Sequence, residues 1–138
     1  MGYEKPIPLK TQDNKPYWDA ADEHKLKLQR CNNCKKYSHP PGPSCTNCGS
    51  TDMIWEDFGS DVKGKVYSYI IGNRPFLPGF QDDIPLVIAQ MELDEAPGVL
   101  IIGNILEVEP ADVEIGMPVQ MIWKDITEDR ALPQWKTV

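Results

Sequence analysis

A mainly β protein is predicted by three features of this 138-residue sequence. All four cysteines fall in two Cys-x-x-Cys pairs within "RCNNCKKYSHPPGPSCTNCGS", residues 30–50. From about residue 54 onward, five short runs of β-branched and aromatic residues are each bounded by Gly, Pro, Asp or Asn. Only one short stretch near the N-terminus has helical character. The chain therefore divides into an N-terminal arm and helix (1–29), a metal ribbon (30–53) and a β-barrel (54–138).

The helix is read from "NKPYWDAADEHK". Asn14 stands as a cap, Pro16 falls in the first turn, and acidic residues precede the cations. Tyr17, Trp18 and Ala21 give it one apolar side. So short a helix is not stable alone, so that side must pack on the ribbon, the barrel or another chain. We expect Tyr17 and Trp18 to bind a partner, with Trp18 as the anchor. "KLKLQRC" then alternates as a strand leading into the first cysteine pair.

Cys31-x2-Cys34 and Cys45-x2-Cys48 are separated by ten residues. Two such turns aim four thiolates at one point, the tetrahedral S4 shell preferred by structural zinc. Iron in a rubredoxin-like site is the chemical rival. A catalytic zinc keeps one position open for water, and four thiolates leave none. Gly49 follows the second pair, where a tight turn favours a residue without a side chain. His39, beside Pro40 and Pro41 in the connector, is expected at the surface. The first residues lack a secretory apolar segment, and no run approaches the roughly 20 apolar residues that span a bilayer. We therefore expect a cytoplasmic protein with reduced thiols, free to bind metal.

The β runs are "IWEDF", "KGKVYSYIIGN", "IPLVIAQMEL", "GVLIIGNILEV" and "MPVQMIWKDI". "DEAPG" reads as a hairpin turn, and "EPADVEIG" as a connector long enough for one helical turn. This pattern fits a five-stranded OB-fold barrel, with a two-sheet sandwich as the alternative. The most unusual loop is "GNRPFLPGFQDDIP", residues 72–85. Arg74 there stands ready for a phosphate or carboxylate of a cofactor. Phe76 and Phe80 either contact a partner or fold back to plug the barrel end. Trp135 is either an edge-strand core residue or an exposed anchor.

Charge bears on the partner. Residues 1–36 carry eight Lys/Arg against five Asp/Glu, and residues 37–138 carry six against sixteen, for a net −7. The basic cluster Lys25, Lys27, Arg30, Lys35 and Lys36 surrounds the first knuckle, whereas the rest of the chain repels a polyanion. Nucleic-acid affinity rests largely on neutralising phosphates. A nucleic-acid module is thus the lesser of two readings, and we expect neither nucleic acid nor membrane as a partner.

The order "YWDAA…LKLQRCNNC…HPPGPSCTNCGS", "GKVYSYI", "IPLVIAQMELDE" and "VEIGMPVQMIW" resembles the family called domain of unknown function thirty-five, over roughly residues 15–136. The resemblance implies an N-terminal helical segment, a rubredoxin-like zinc ribbon and a C-terminal OB-fold. It implies that Cys31, Cys34, Cys45 and Cys48 are the zinc ligands. It further implies a small accessory subunit of a thiolase-type enzyme acting on acyl-CoA, with a CoA thioester contacted in the complex. Lys35 departs from the Gly common in that family after the first pair. Chemistry agrees with an accessory role. Thioester C–C chemistry through an acyl-enzyme needs an activated thiolate, and every cysteine here is claimed by the metal. The nucleophile is expected on a partner chain, in a hetero-oligomer.

Overall fold

The computed structural model describes residues 5–75 and 77–138. The described residues are mainly β with one α-helix, α1, Lys15–Asp22. Three strands follow: β1 (Leu26–Cys31), β2 (Tyr37–Ser38) and β3 (Met53–Gly59), forming an antiparallel sheet in the order β2-β1-β3. The second sheet contains β4 (Lys63–Gly72), β5 (Leu86–Leu93), β6 (Leu100–Asn104), β7 (Pro118–Asp125) and β8 (Ala131–Thr137). Its order is β6-β5-β4-β7-β8. The two edges approach where Ile105 bridges Trp135 in parallel and the Leu106 N–H donates to the Trp135 carbonyl at 2.8 Å. The result is a nearly closed five-stranded barrel. One 3-10 turn, Pro110–Asp112, lies in the connector before β7, and the Asp94–Val99 segment makes the β5–β6 hairpin with Gly98 at φ 90°.

Two expectations about elements need correction. "IWEDF" is not a barrel strand: it lies in β3, where Trp55 pairs with Gln29 of β1. The fifth barrel strand is β8, "ALPQWKT", which pairs with β7 from Val119–Thr137 to Asp125–Ala131. Helix α1 also lacks the expected charge order, with no acid in its first turn and no base in its last. It stops at Asp22, before Lys25. Asn14 caps backward instead: its side chain accepts from the Thr11 N–H at 2.6 Å and donates to the Leu9 carbonyl at 3.2 Å.

One apolar cluster holds everything together. Tyr17 of α1 and Leu26 and Leu28 of β1 belong to the same buried cluster as Val66, Met91, Ile101, Val119 and Trp135 of the barrel. Trp135 and Leu28 are fully excluded from solvent, which settles Trp135 as core. A fully buried side chain of Leu28's kind contributes about 1.5–3 kcal/mol. At Gly64 a Cβ would lie 2.5 Å from the Glu92 carbonyl oxygen, so only glycine lets β4 and β5 approach there.

Polar contacts pin the arm and helix onto β8. Asp22 accepts from the Ala131 N–H at 3.1 Å and from Arg130 Nε at 3.3 Å, and pairs with Lys10 at 2.7 Å. Arg130 also donates to the Pro8 carbonyl at 2.9 Å. Among the described residues no helix is long and apolar enough to cross a membrane.

Removing the Asp22 carboxylate would strand a partly buried guanidinium and a backbone N–H. Asp22→Ala is expected to cost about 2 kcal/mol in urea unfolding, while Asp19→Ala, on an exposed pair, changes the midpoint little. Equal effects of the two substitutions would refute the assignment.

Candidate functional site: a four-thiol ribbon beside an uncharged groove

The two knuckles are built alike. In the first, the Cys31 N–H donates to the Lys36 carbonyl and the Lys35 N–H to the Cys31 carbonyl. In the second, the Cys45 N–H donates to Ser50 and the Gly49 N–H to Cys45. Each turn closes on a left-handed residue, Lys35 at φ 70° and Gly49 at φ 78°. The departure at Lys35 thus leaves the knuckle's shape intact, although a side chain there carries a backbone cost of roughly 1 kcal/mol or more.

The four Sγ atoms lie within 4.8 Å of one another. Cys31 and Cys48 are 3.6 Å apart, as are Cys34 and Cys45. A tetrahedral ZnS4 centre with bonds of about 2.3 Å has edges of about 3.8 Å, so the donor set fits a metal of that size. Backbone N–H groups favour the thiolate forms. The Lys36 N–H draws the Cys34 thiol down to about 6, and the Cys34 N–H lowers Cys31. At Cys48 the Ser50 N–H and the Asn33 side chain (3.7 Å) also favour the thiolate, but the neighbouring Cys31 and Cys34 sulfurs and desolvation leave this thiol above its usual range. The arrangement can hold a metal and leaves no thiol over for chemistry.

The basic cluster around the first knuckle is partly occupied within the chain. Arg30 Nη1 pairs with Glu56 at 2.9 Å and its guanidinium lies over the Tyr37 ring, while Tyr37 donates to the other Glu56 oxygen. His24, the second histidine, pairs with Asp125 at 2.7 Å and stacks on Trp123.

Between α1, the ribbon connector and the barrel runs an open groove of about 910 Å³. Tyr17, Trp18, Tyr37, His39 and Pro40 form one wall. Its floor is the outer face of β5 and β6, with Ile88, Gln90, Leu100 and Ile102, and Phe80 lies at one end. None of the described residues lining it is charged. Trp18 and Phe80 therefore meet at one surface. Tyr17 does so only by its edge: it is 6% exposed and belongs to the core, packed edge-on against Trp18. Arg74 is exposed and lies outside the groove lining. Phe76 lies outside the described residues.

His39 departs from its expected surface position. It packs against Tyr17 with ring centroids 5.3 Å apart, and burial pushes its imidazole down from 6.5 to about 4. The sequence did carry a signal for the floor. "LVIA" and "LII" are apolar at consecutive positions, whereas a strand with one wet face alternates.

These features define a class of protein: a four-cysteine zinc ribbon fused through a shared core to an OB-fold. Residues 18–53 match the model described as "ChsH2, rubredoxin-like zinc ribbon domain" and residues 57–124 that of "ChsH2, C-terminal OB-fold domain". The chain belongs to this ChsH2/DUF35 family. It is 37% identical to a DUF35 domain-containing scaffold protein of Methanocaldococcus jannaschii over 72% of this chain and 68% of that one. It is 38% identical to the "Probable enoyl-CoA hydratase alpha subunit" of Thermomonospora curvata, covering 96% of this chain but only 40% of that relative's length. Among solved structures, "Ltp2-ChsH2(DUF35) aldolase" superposes with TM-score 0.81 at 37% identity, over 95% of this chain and 98% of that one.

His39 generates a pH dependence with a definite sign. The unfolded chain takes up the proton near 6.5 and the folded one only near 4. Stability is therefore full above about pH 6.5 and declines toward pH 4, by on the order of 3 kcal/mol in all. His39→Phe should flatten the fall in urea midpoint between pH 7 and pH 5. Equal slopes in variant and parent would show that burial of the imidazole is not responsible.

Proposed function

We propose that this chain is a non-catalytic subunit of an acyl-CoA-converting complex, in which a thiolase-fold partner supplies the nucleophile and this chain shapes the acyl-CoA site. The observation that carries the reading is that all four cysteines converge on one metal-sized point, in a fold whose relatives are described as a scaffold, a hydratase subunit and part of an aldolase assembly. Thioester C–C bond chemistry through an acyl-enzyme requires a free activated thiolate, and no fifth cysteine exists here.

Zinc is the occupant we assign to Cys31, Cys34, Cys45 and Cys48, with a structural role. The exposed Arg74 is the sole Lys or Arg between Val66 and Trp123. We assign it the phosphate or carboxylate of a CoA thioester. Trp18 and Phe80, on the groove, and Phe76 are assigned to the partner contact. Tyr17 backs Trp18 from within the core. The long cation-free stretch of the barrel argues against a nucleic-acid role, because such grooves track phosphates with positive charge.

Metal analysis is expected to give one zinc per chain. Because β1 shares its core with the barrel, Cys45→Ser should lose the zinc and lower the unfolding midpoint of the whole chain, not of the ribbon alone. Stoichiometric iron, or a folded chain that excludes zinc, would overturn the assignment.

The functional reading is tested by isolating the complex from cells that produce the chain natively, then assaying acyl-CoA conversion with and without the subunit. Turnover is expected only in the complex, and Trp18→Ala should weaken assembly by about 2 kcal/mol. Turnover by the purified chain alone would sink the reading.

A further inference from the structure

We infer that the groove along β6 is a strand-pairing site for an extended segment of a partner polypeptide, one with apolar side chains at its centre and Lys or Arg at both ends. This rests on the subunit reading above and assigns it a surface and a partner chemistry.

The first observation is the edge itself. β6 is a terminal strand of its sheet, hydrogen-bonded to β5 on one side. Along an antiparallel strand the N–H and C=O of one residue point the same way, and alternate residues point oppositely. The Asn104 N–H points away from β5, because it donates to Gln134 Oε1 at 2.8 Å. On the other phase, the Val99 carbonyl accepts from the Leu93 N–H of β5 at 3.1 Å. The backbone groups of Ile102 and Leu100 therefore also face away from β5. Barrel closure reaches Asn104, through Gln134, and Ile105, through Trp135. It does not extend to Ile102. Consecutive residues Gly98 to Asn104 all line the groove, so this edge opens into it.

The second observation is the surface beside that edge. Ile102 is 65% exposed and, across β5, Ile70 is 63% exposed. The register runs Ile70–Ile88–Asn104 and Ser68–Gln90–Ile102, which makes these side chains neighbours on one outer face. Trp18 and Pro40 stand opposite. Alternate side chains of an added strand would lie on this face, as they do in strand addition to other sheet edges.

The third observation is charge, and it selects the occupant. From Pro75 to Trp123 the sequence holds nine Asp or Glu and no Lys or Arg. The described groove lining is neutral, and carboxylates stand at both ends of β6. Asp94 and Glu95 occupy the hairpin before β6, and Glu107 and Glu109 follow it. A second copy of this chain would bring the same acidic rim and be repelled. A nucleic acid would meet no cation among the described lining residues; the nearby Lys5, over the Phe80 ring at one end, is already paired with Asp83. An apolar strand with cationic ends is complementary at every point.

The test is a selection from a library of random linear peptides displayed on phage, using the intact zinc-loaded chain as bait. The expected result is enrichment of peptides with apolar alternation and Lys or Arg at both ends. Their binding should weaken as salt rises, and the Ile102 amide should become protected from hydrogen exchange. Ile102→Asp should reduce binding about tenfold or more. Ile102→Pro should abolish it while leaving the melting temperature nearly unchanged, because proline is tolerated on an edge strand whose N–H faces outward. No enriched motif, an acidic motif, binding indifferent to Ile102→Asp, or preferential capture of single-stranded oligothymidine would each overturn the inference. Failure here with an intact acyl-CoA complex leaves the subunit reading standing. A peptide-selective groove in a chain that joins no such complex would do the reverse.

Discussion

Burial of Leu26 and Leu28 in the barrel's own apolar cluster is the constraint from which the rest of the structure follows. A segment as small as the ribbon has little interior of its own, and small domains bury too low a fraction of their surface to be stable unaided. β1 resolves this by serving two structures at once. It ends in Cys31, which anchors the first knuckle, and its leucines reach the same cluster as Met91 and Trp135. Helix α1 follows because Tyr17 joins that cluster, and Ala20 and Ala21 are buried on the same helix. The Asp22–Arg130 contacts then fix the helix against β8.

The groove is a geometric consequence of that sharing. Holding the ribbon against one side of the barrel places His39 and Pro40 opposite the outer face of β5 and β6 without covering it. The outer face of the second and third strands is where OB-folds commonly receive ligands. Here that face is mostly apolar, and its described lining carries no cation, unlike a nucleic-acid platform. A metal held by the four cysteines would thus act at a distance from that face, by bracing the connector that forms the wall.

The cysteine knuckles were legible because metal chemistry demands ligands at fixed short spacings, and nothing elsewhere in the chain competes for them. The membership of the barrel was less legible. "IWEDF" has the local pattern of any half-buried strand, and only its register with β1 places it in the ribbon sheet. "ALPQWKT" concealed a strand because Pro133 argues against one, yet β8 is a sheet edge, where a missing N–H is tolerated. His39 was misjudged for a related reason: Pro-rich connectors usually lie at the surface, but this one is pressed onto Tyr17. Tertiary contact decided each case, and no local window contains it.

The four thiols are not equivalent in their access to water. Cys31 and Cys45 are buried, Cys34 is partly so, and Cys48 is exposed. The centre therefore has a sealed side continuous with the core and a side open to small molecules. Oxidants and competing chelators would arrive first at Cys48, whose sulfur can be lost from the shell while the sealed pair keeps its grip. Sulfur oxidation follows both access and thiolate character. Cys48 has the access and Cys34 the lowered thiol, so ageing of this protein under peroxide would begin on the open side, at these two sulfurs. It would then spread toward the wall that the connector builds.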